Sequence, residues 1–287
     1  MVIPQNLKEE YPFSENSLML NSGHKLNYVD EGSGEPILML HGNPTWSFYY
    51  RNLIKEMAKT HRVIVPDHIG CGLSDKPQDY DYSLENHIQN IEALVSKLEL
   101  KKLSLVVHDW GGAIGFGYAT RHNQNISKIV ALNTAAYRSK HMPKSIAICK
   151  IPFFGEGLVR HLNAFAWPAT FMSVEKPLSK IIKAGYLLPY NNYKNRIATA
   201  RFVKDIPLTK GHPSYGTLKA IEEGLPDLKV PKLFLWGGKD FCFNDHFYRD
   251  WKGFYPEAEY TYIKDAGHYV LEDAKDTVIE KTREFLS

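Results

Sequence analysis

The chain has 287 residues, of which 44% are hydrophobic and 23% are charged, and its formal net charge is +3. This composition is typical of a globular protein, and so small a net charge gives no reason to expect a nucleic-acid partner. No stretch approaches the roughly 20 apolar residues of a membrane-spanning helix, and the first residues lack the basic and apolar regions of a secretory signal. The three cysteines have no metal-binding or redox spacing and suit a reducing compartment. We therefore expect a cytoplasmic protein without a transmembrane segment.

Short apolar strands alternate with longer amphipathic stretches along most of the chain. The first predicted strand is KLNYVDEG, and the later ones are PILMLHG, RVIVPDH, LSLVVHD, ISKIVALN, PKLFLWG and AEYTYIKDAGH. Helices are predicted over SFYYRNLIKEMAK, over SLENHIQNIEALVSKLEL with Ser83 as its amino-terminal cap, and over DTVIEKTREFL. This alternation predicts an α/β protein with a mostly parallel central sheet and helices on both faces.

The alternation stops after Asn133. Residues 135–227 have the pattern of helices and loops without a buried strand, and the strand pattern resumes at Pro231. We therefore predict a core of residues 1–134 and 228–287, with residues 135–227 forming a helical cap. Such an insertion is expected over the carboxyl ends of the strands, where open α/β sheets hold their ligands.

The predicted cap is strongly basic. Between Arg138 and Glu223 there are 14 Lys and Arg residues against 5 Asp and Glu residues. A surplus of this kind is typical of a solvated basic face. The alternative is a docking surface for an acidic partner, such as another enzyme of a pathway, or for a membrane interface.

The strand LSLVVHD ends in Asp109, which is followed directly by Trp110, Gly111 and Gly112. This arrangement resembles the strand-to-helix turn that carries the nucleophile of α/β-hydrolases, usually written G-x-S-x-G. Asp109 stands at the nucleophile position, and Val107 replaces the first glycine. The alternative is that Asp109 only caps the helix WGGAIGFGYATRH.

Two further residues complete a candidate triad. His268 follows the last predicted strand, and the chain order nucleophile, acid, histidine distinguishes it from the other histidines. Asp240 follows the glycine turn after LFLWGG and is the candidate acid, whereas Asp245 is predicted to cap the next helix. The other possible acid position, after ISKIVALN, holds Asn133 and Thr134, which carry no charge.

The strand PILMLHG leads into the motif HGNP. In α/β-hydrolases the residue after this glycine and the residue after the nucleophile supply the backbone N–H groups of the oxyanion hole. These residues are Asn43 and Trp110, and their side-chain N–H groups could also hold a departing anion. The loop VPDHIGCGLSDKP is predicted to be structural, with Asp67 and Asp75 accepting hydrogen bonds from local backbone N–H groups. No spacing suggests a metal or a dinucleotide, so we expect no cofactor.

A carboxylate nucleophile is charged at neutral pH and needs no base before it attacks. It is adequate towards a carbon that carries a good leaving group or lies in a strained ring. The product is an ester of Asp109, and His268, oriented by Asp240, is then free to activate a water that hydrolyses this ester.

With HGNP, HDWGG and the late Asp/His pair, the chain resembles the haloalkane dehalogenases, the α/β-hydrolases with an aspartate nucleophile. The segments NTAAY, LPYNNYKNRI, RFVKDIPL, DFCFNDHF and AGHYVLED are similar to those of the cis-β-lactone (oxetanone) decarboxylases of bacterial olefin biosynthesis. This resemblance implies an α/β-hydrolase fold with the cap inserted after the sixth strand. It also implies that Asn43 and Trp110 correspond to the two residues with which the dehalogenases hold the halide ion.

The resemblance implies a small hydrophobic substrate. For the decarboxylases this is a β-lactone with two alkyl arms, which yields a cis-alkene and CO2; for the dehalogenases it is a haloalkane. Apolar cap residues could line a tunnel for alkyl chains or pack the cap on the sheet: Phe153, Phe154, Phe165, Trp167, Phe171 and Met172. An epoxide hydrolase would use cap tyrosines, for which Tyr186, Tyr190 and Tyr193 are available. A non-catalytic binding module would not need the complete triad.

Overall fold

The computed structural model describes residues 3–287; Met1 and Val2, which begin the first predicted core segment, lie outside the described residues. The described chain forms eight strands, which are β1 (Asn16–Met19), β2 (Lys25–Glu31), β3 (Pro36–Leu40), β4 (Arg62–Pro66), β5 (Leu103–Asp109), β6 (Ile126–Thr134), β7 (Lys232–Gly237) and β8 (Glu259–Ile263). They make one sheet in the order β1-β2-β4-β3-β5-β6-β7-β8. Strands β3 to β8 pair in parallel, whereas β1 and β2 run antiparallel to their neighbours.

The helices lie in three groups along the chain. Before β6 these are α1 (Arg51–Met57), α2 (Leu84–Lys97) and α3 (Trp110–Arg121). Between β6 and β7 they are α4 (Lys144–Lys150), α5 (Phe154–Leu162), α6 (Ala166–Met172), α7 (Lys180–Leu187), α8 (Ile197–Lys204) and α9 (Tyr215–Gly224). After β7 they are α10 (Asp245–Phe254), α11 (Val270–Asp273) and α12 (Lys275–Leu286). None of the helices within residues 3–287 combines the length and apolarity needed to cross a membrane.

The central strands of the sheet, β3 to β7, are buried on both faces, as their apolar sequences predict. Along β3, Leu38 and Leu40 belong to the hydrophobic cluster on one face of the sheet, and Ile37 and Met39 belong to the cluster on the other face. Side chains alternate between the two faces of a strand, so a strand covered on both sides must be apolar throughout. The prediction of a mostly parallel sheet between helices, with a helical insertion after the sixth strand, is confirmed.

The first strand of the structure was not predicted from the sequence. The segment Asn16–Met19 pairs only with β2 at the edge of the sheet, and its residues alternate between half-buried and exposed. Its sequence NSLM contains no β-branched or aromatic residue, so the usual strand signal is absent. The predicted cap of the second long helix is confirmed, because the Ser83 hydroxyl accepts a hydrogen bond from the Asn86 N–H at 3.4 Å.

Candidate active site

The site lies at the carboxyl edge of the parallel strands, where Asp109 ends β5. Its backbone has φ 51° and ψ −125°, a left-handed conformation that costs free energy in a residue with a side chain. The turn is held from two sides. The Thr134 hydroxyl donates to the Asp109 carbonyl at 2.5 Å, and Gly111 packs so close to β3 that any side chain there would collide with the Leu40 carbonyl. This geometry lifts Asp109 above the sheet.

The Asp109 carboxylate does not cap the helix that follows it, which excludes the alternative considered from the sequence. Instead, Oδ1 accepts a hydrogen bond of 2.6 Å from the backbone N–H of Asn43, in the loop after β3. Burial raises the pKa of Asp109, while the charge of His268 and the backbone N–H groups of Asn43 and Trp110 oppose this rise. The side chain is therefore a desolvated carboxylate with few partners.

His268 lies between two buried carboxylates. Its Nδ1 is 2.8 Å from Asp240 Oδ2, and its Nε2 is 3.8 Å from Asp109 Oδ2. Burial alone would lower the pKa of His268, but the charges of Asp240 and Asp109 together outweigh burial and raise it. Asp240 is itself fixed, because its Oδ1 accepts backbone hydrogen bonds from Cys242 at 2.6 Å and Phe243 at 3.0 Å.

The structure brings the three predicted triad residues together and places the other candidate acid elsewhere. Asp245 is exposed and accepts a hydrogen bond of 2.8 Å from the Tyr262 hydroxyl. The prediction that Asp245 caps the next helix is wrong. The cap is Asn244, whose side-chain oxygen accepts from the His246 N–H at 3.0 Å, and Asp245 is the first helical residue.

The loop that carries His268 is anchored by residues that the sequence analysis did not select. His108 Nε2 lies 2.9 Å from the His268 carbonyl oxygen, and because a carbonyl only accepts, this nitrogen must donate. Burial lowers the pKa of His108, which keeps its imidazole neutral. On the other side, Asp273 accepts from the Gly267 N–H at 2.7 Å, and Tyr269 donates its N–H to the Ser173 carbonyl at 2.7 Å. The only sequence signal for His108 was its place beside Asp109.

Asn43 and Trp110 both contact the Asp109 cavity, but their side chains differ in their partners. The Asn43 amide Nδ2 donates to the carbonyl of Thr199 in α8 at 3.1 Å, and its Oδ1 is buried without a partner among the described residues. The Trp110 ring packs against Phe202 with ring centroids 5.2 Å apart and forms part of the cavity wall. The backbone N–H groups of Asn43 and Trp110 both stabilise the charged form of the Asp109 carboxylate.

Two predictions about neighbouring polar residues are settled by their contacts. Asp67 is fully buried and accepts from the N–H groups of Ser47 and Leu73 at 2.8 Å each, as expected for a structural residue. Asp75 also accepts a backbone hydrogen bond, from the Lys25 N–H at 2.7 Å, but Lys25 is 50 residues away and is not the local partner that was predicted. The Asn133 side chain forms two hydrogen bonds with the backbone of Gly237 and so links β6 to β7. Asp240 therefore remains the candidate acid.

Two cavities share Asp109 as a lining residue, with about 870 and 540 Å³ of empty space including their openings to solvent. Both are walled mainly by apolar residues of the segment inserted between β6 and β7, and the larger one also by residues of α3 and α10. Phe165 contacts both cavities and Met172 contacts the smaller one, as the tunnel prediction requires.

The tunnel prediction is wrong for the other four apolar cap residues. Phe153, Phe154, Trp167 and Phe171 line neither cavity at Asp109 and are exposed, Phe153 to 95%. They lie in short helices and loops whose sequence does not define which face is buried.

The tyrosines available to an epoxide hydrolase also lie outside both cavities. The buried Tyr186 hydroxyl donates to Glu272, and the buried Tyr190 hydroxyl donates to the Thr45 carbonyl at 3.3 Å. Tyr193 is exposed and stacks under the guanidinium of Arg160. None of the three can activate a ring oxygen at Asp109.

Comparison with known proteins gives relatives that cover nearly the whole chain. The cis-3-alkyl-4-alkyloxetan-2-one decarboxylase of Shewanella oneidensis is 48% identical over 96% of this chain and 89% of its own. The protein of the same name from Xanthomonas campestris is 38% identical over 96% of this chain and 97% of its own. The haloalkane dehalogenase of Sphingobium indicum is 31% identical over 93% of each chain.

The fold is shared with solved structures. The haloalkane dehalogenase DatA from Agrobacterium tumefaciens C58 superposes with a TM-score of 0.84 at 26% identity, over 95% of this chain and 96% of that one. A family model described as the alpha/beta hydrolase fold matches residues 35–275. The chain therefore belongs to the α/β-hydrolase family, in the group that includes cis-3-alkyl-4-alkyloxetan-2-one decarboxylases and haloalkane dehalogenases.

Proposed function

We propose that the protein is a cis-β-lactone decarboxylase that converts a 3,4-dialkyl oxetan-2-one into a cis-alkene and CO2. The observation that carries this proposal is the desolvated Asp109 carboxylate, which faces apolar cavities and has His268 3.8 Å away. The relatives named as oxetanone decarboxylases, at 48% and 38% identity, support this substrate over a haloalkane.

In the proposed reaction, a carboxylate oxygen of Asp109 bonds to the saturated ring carbon that carries the lactone oxygen. The carbon–oxygen bond of the strained ring breaks, which leaves an alkyl ester of Asp109 and a free substrate carboxylate. Loss of CO2 then turns the electron pair of the broken carbon–carbon bond into the second bond of the alkene, as the Asp109 oxygen leaves. Every atom of the lactone ends in the two products, and no water is consumed.

The surrounding residues stabilise the charges of this cycle. The backbone N–H groups of Asn43 and Trp110 stabilise Asp109 as it departs. The raised pKa of His268 favours its imidazolium form, and Asp240 holds that ring in place. The imidazolium lies close enough to stabilise the substrate carboxylate that forms on ring opening.

Oxygen labelling tests the point of attack. In a single turnover of a lactone labelled with 18O at both oxygens, the released CO2 should carry both labels. Attack of Asp109 on the carbonyl carbon would instead transfer one unlabelled carboxylate oxygen into the CO2.

The alternative function is hydrolysis of a haloalkane through the same Asp109 ester. It is supported by the dehalogenase of Sphingobium indicum, at 31% identity, and here His268 would activate the water. Incubation with a bromoalkane distinguishes the two functions. Bromide release by the parent, with a lasting alkyl adduct on Asp109 in His268→Ala, would establish the dehalogenase. Alkene from the lactone without bromide release establishes the decarboxylase.

We also propose that the basic cap docks a pathway enzyme in the cytoplasm. The three cysteines are free thiols, which supports a reducing compartment. The charge surplus between Arg138 and Glu223 lies in the same segment as the exposed Phe153. A basic surface attracts an acidic partner, and aromatic residues are enriched at protein interfaces. A Lys140→Glu/Lys144→Glu variant should lose co-elution with the lactone-forming enzyme, and unchanged co-elution would contradict the proposal. Fractionation of cells tests the location.

A further inference from the structure

The two cavities meet at Asp109 and diverge from it. The residues that line both of them are Asn43, Asp109, Ile146, Phe165 and Cys242. Asp109 and Asn43 belong to the core, and Ile146 and Phe165 belong to the cap. We name this shared part of the two cavities the chamber; the reactive carboxylate lines it from the core, and two cap side chains line it from the cap.

The larger cavity, which we name the first branch, extends from this chamber along α3 towards α9 and α10. Ala113, Tyr137, Leu218 and Phe247 line it, and none of them lines the smaller cavity. Ala113 is buried in α3, one turn after Trp110, and so faces the branch close to the chamber.

The smaller cavity, which we name the second branch, extends between α4 and α6. Cys149, Ala164, Pro168 and Met172 line it, and none of them lines the first branch. Ala164 lies two residues before the start of α6, and Phe165, one of the two cap residues that line the chamber, stands between them. Met172 is the last residue of α6 and is exposed, so the wall of this branch includes a surface residue.

Beyond the chamber, the wall of each branch holds one histidine, His141 in the first and His268 in the second, and otherwise no basic or carboxylate side chain. Among the described residues of both walls, Asp109 is the only carboxylate, and none is a lysine or an arginine. An apolar branch binds an alkyl chain by removing it from water, and an unfilled branch gives up that free energy. A substrate with one chain leaves one branch unfilled, whereas a substrate with two chains on adjacent ring carbons fills both.

We infer that the two cavities form a forked site in which each branch binds one alkyl chain of the substrate, with Ala113 and Ala164 limiting the two chains separately. The inference rests on the proposed function for the identity of the ring between the chains. It adds that the two chains are selected independently, by Ala113 in α3 and by Ala164 in the turn before α6.

Matched substitutions test the fork. Ala113→Leu narrows the first branch and Ala164→Leu narrows the second by the same added volume. The ligands are a symmetric long-chain dialkyl ketone and a methyl ketone with one chain of the same length, neither of which needs the chemistry of the site. Calorimetric titration gives the two affinities. Thermal unfolding shows whether each variant is folded, and Ala113→Val and Ala164→Val serve as smaller changes.

The fork predicts a distinct pattern of affinities. The parent should bind the dialkyl ketone at least about tenfold more tightly than the methyl ketone, because a second chain is buried. Each single variant should reduce this ratio to less than about threefold and keep its affinity for the methyl ketone within about twofold, since one branch stays open. The double variant should weaken both ligands.

Other outcomes separate this inference from the proposed function. If the ratio is unchanged in both single variants, or if one variant alone weakens both ketones equally, there is no fork. If the fork pattern holds but the parent forms no alkene from a dialkyl lactone, the proposed function is wrong and the forked site remains.

Discussion

His268 Nδ1 lies 2.8 Å from Asp240 Oδ2, although the two residues are 28 positions apart and belong to different loops. A carboxylate can only accept, so Nδ1 carries a proton and Nε2 is the nitrogen that faces Asp109. This hydrogen bond thus fixes the orientation of the imidazole ring and the protonation of its Nδ1.

Asp109→Asn should abolish alkene formation, with a loss of at least about 1,000-fold, because the amide cannot act as the nucleophile. The fold should persist, and the melting temperature should stay equal or rise. Since burial raises the pKa of Asp109, its charged form costs folding free energy at neutral pH, and a neutral amide removes that cost. The matched control is Asp245→Asn, an exposed carboxylate outside the site, which should keep parental activity. Substantial turnover by Asp109→Asn would contradict the assignment.

The pH dependence of kcat/KM should show an acid limb set by Asp109. Attack requires the carboxylate, so the rate falls as the pH drops through the raised pKa of this group. The limb should therefore lie above the pKa of about 4 that an unperturbed aspartate has. A profile that stays flat down to pH 4 would show that the nucleophile is not a desolvated carboxylate.

His108→Phe should lower kcat about tenfold with little change in KM, since His108 positions the His268 loop but does not line either cavity. His108→Gln, whose amide N–H can donate to the same carbonyl, should recover much of the activity. Parental activity in His108→Phe together with a loss in His108→Gln would instead indicate that His108 only packs against Tyr49, on which its ring stacks.

Glu272→Ala should destabilise the fold by about 3–5 kcal/mol, because it leaves the buried Arg51 with only a longer contact of 3.6 Å to the carboxylate of Glu10. Arg51 Nη1 and Nη2 lie 2.6 and 2.9 Å from the two Glu272 oxygens, and Glu272 also receives the Tyr186 hydroxyl from the cap. The measurement is urea unfolding. Removing the exposed Lys281–Glu284 pair by Lys281→Ala should cost less than about 1 kcal/mol. Similar losses in both variants would contradict a buried network between cap and core.

The placement of Asp109, Asp240 and His268 could be predicted because each follows a strand whose apolar run marks its end. The carboxyl ends of parallel strands share one edge of the sheet, so chain order alone brings these residues to one place. The orientation of the short cap helices could not be predicted. Phe153 and Phe165 look equivalent in the sequence, yet the first is solvent-exposed and the second lines the chamber.

Which of two adjacent polar residues caps a helix also could not be predicted from the sequence. Asn244 and Asp245 are both good helix caps, and only the backbone of the loop decides that Asn244 takes the position. The fork depends on how α4 and α6 pack against the core, which no local pattern describes. Long-range contacts therefore set the shape of the substrate site, whereas strand ends set its chemistry.

The most direct measurement is rapid acid quenching of a single turnover with a cis-dialkyl β-lactone, read by intact-protein and peptide mass spectrometry. We expect a transient adduct on Asp109 that has the mass of the whole lactone. This adduct should decay as the alkene appears. Alkene formation with no adduct at any time, or with the adduct on another residue such as Cys242, would contradict it.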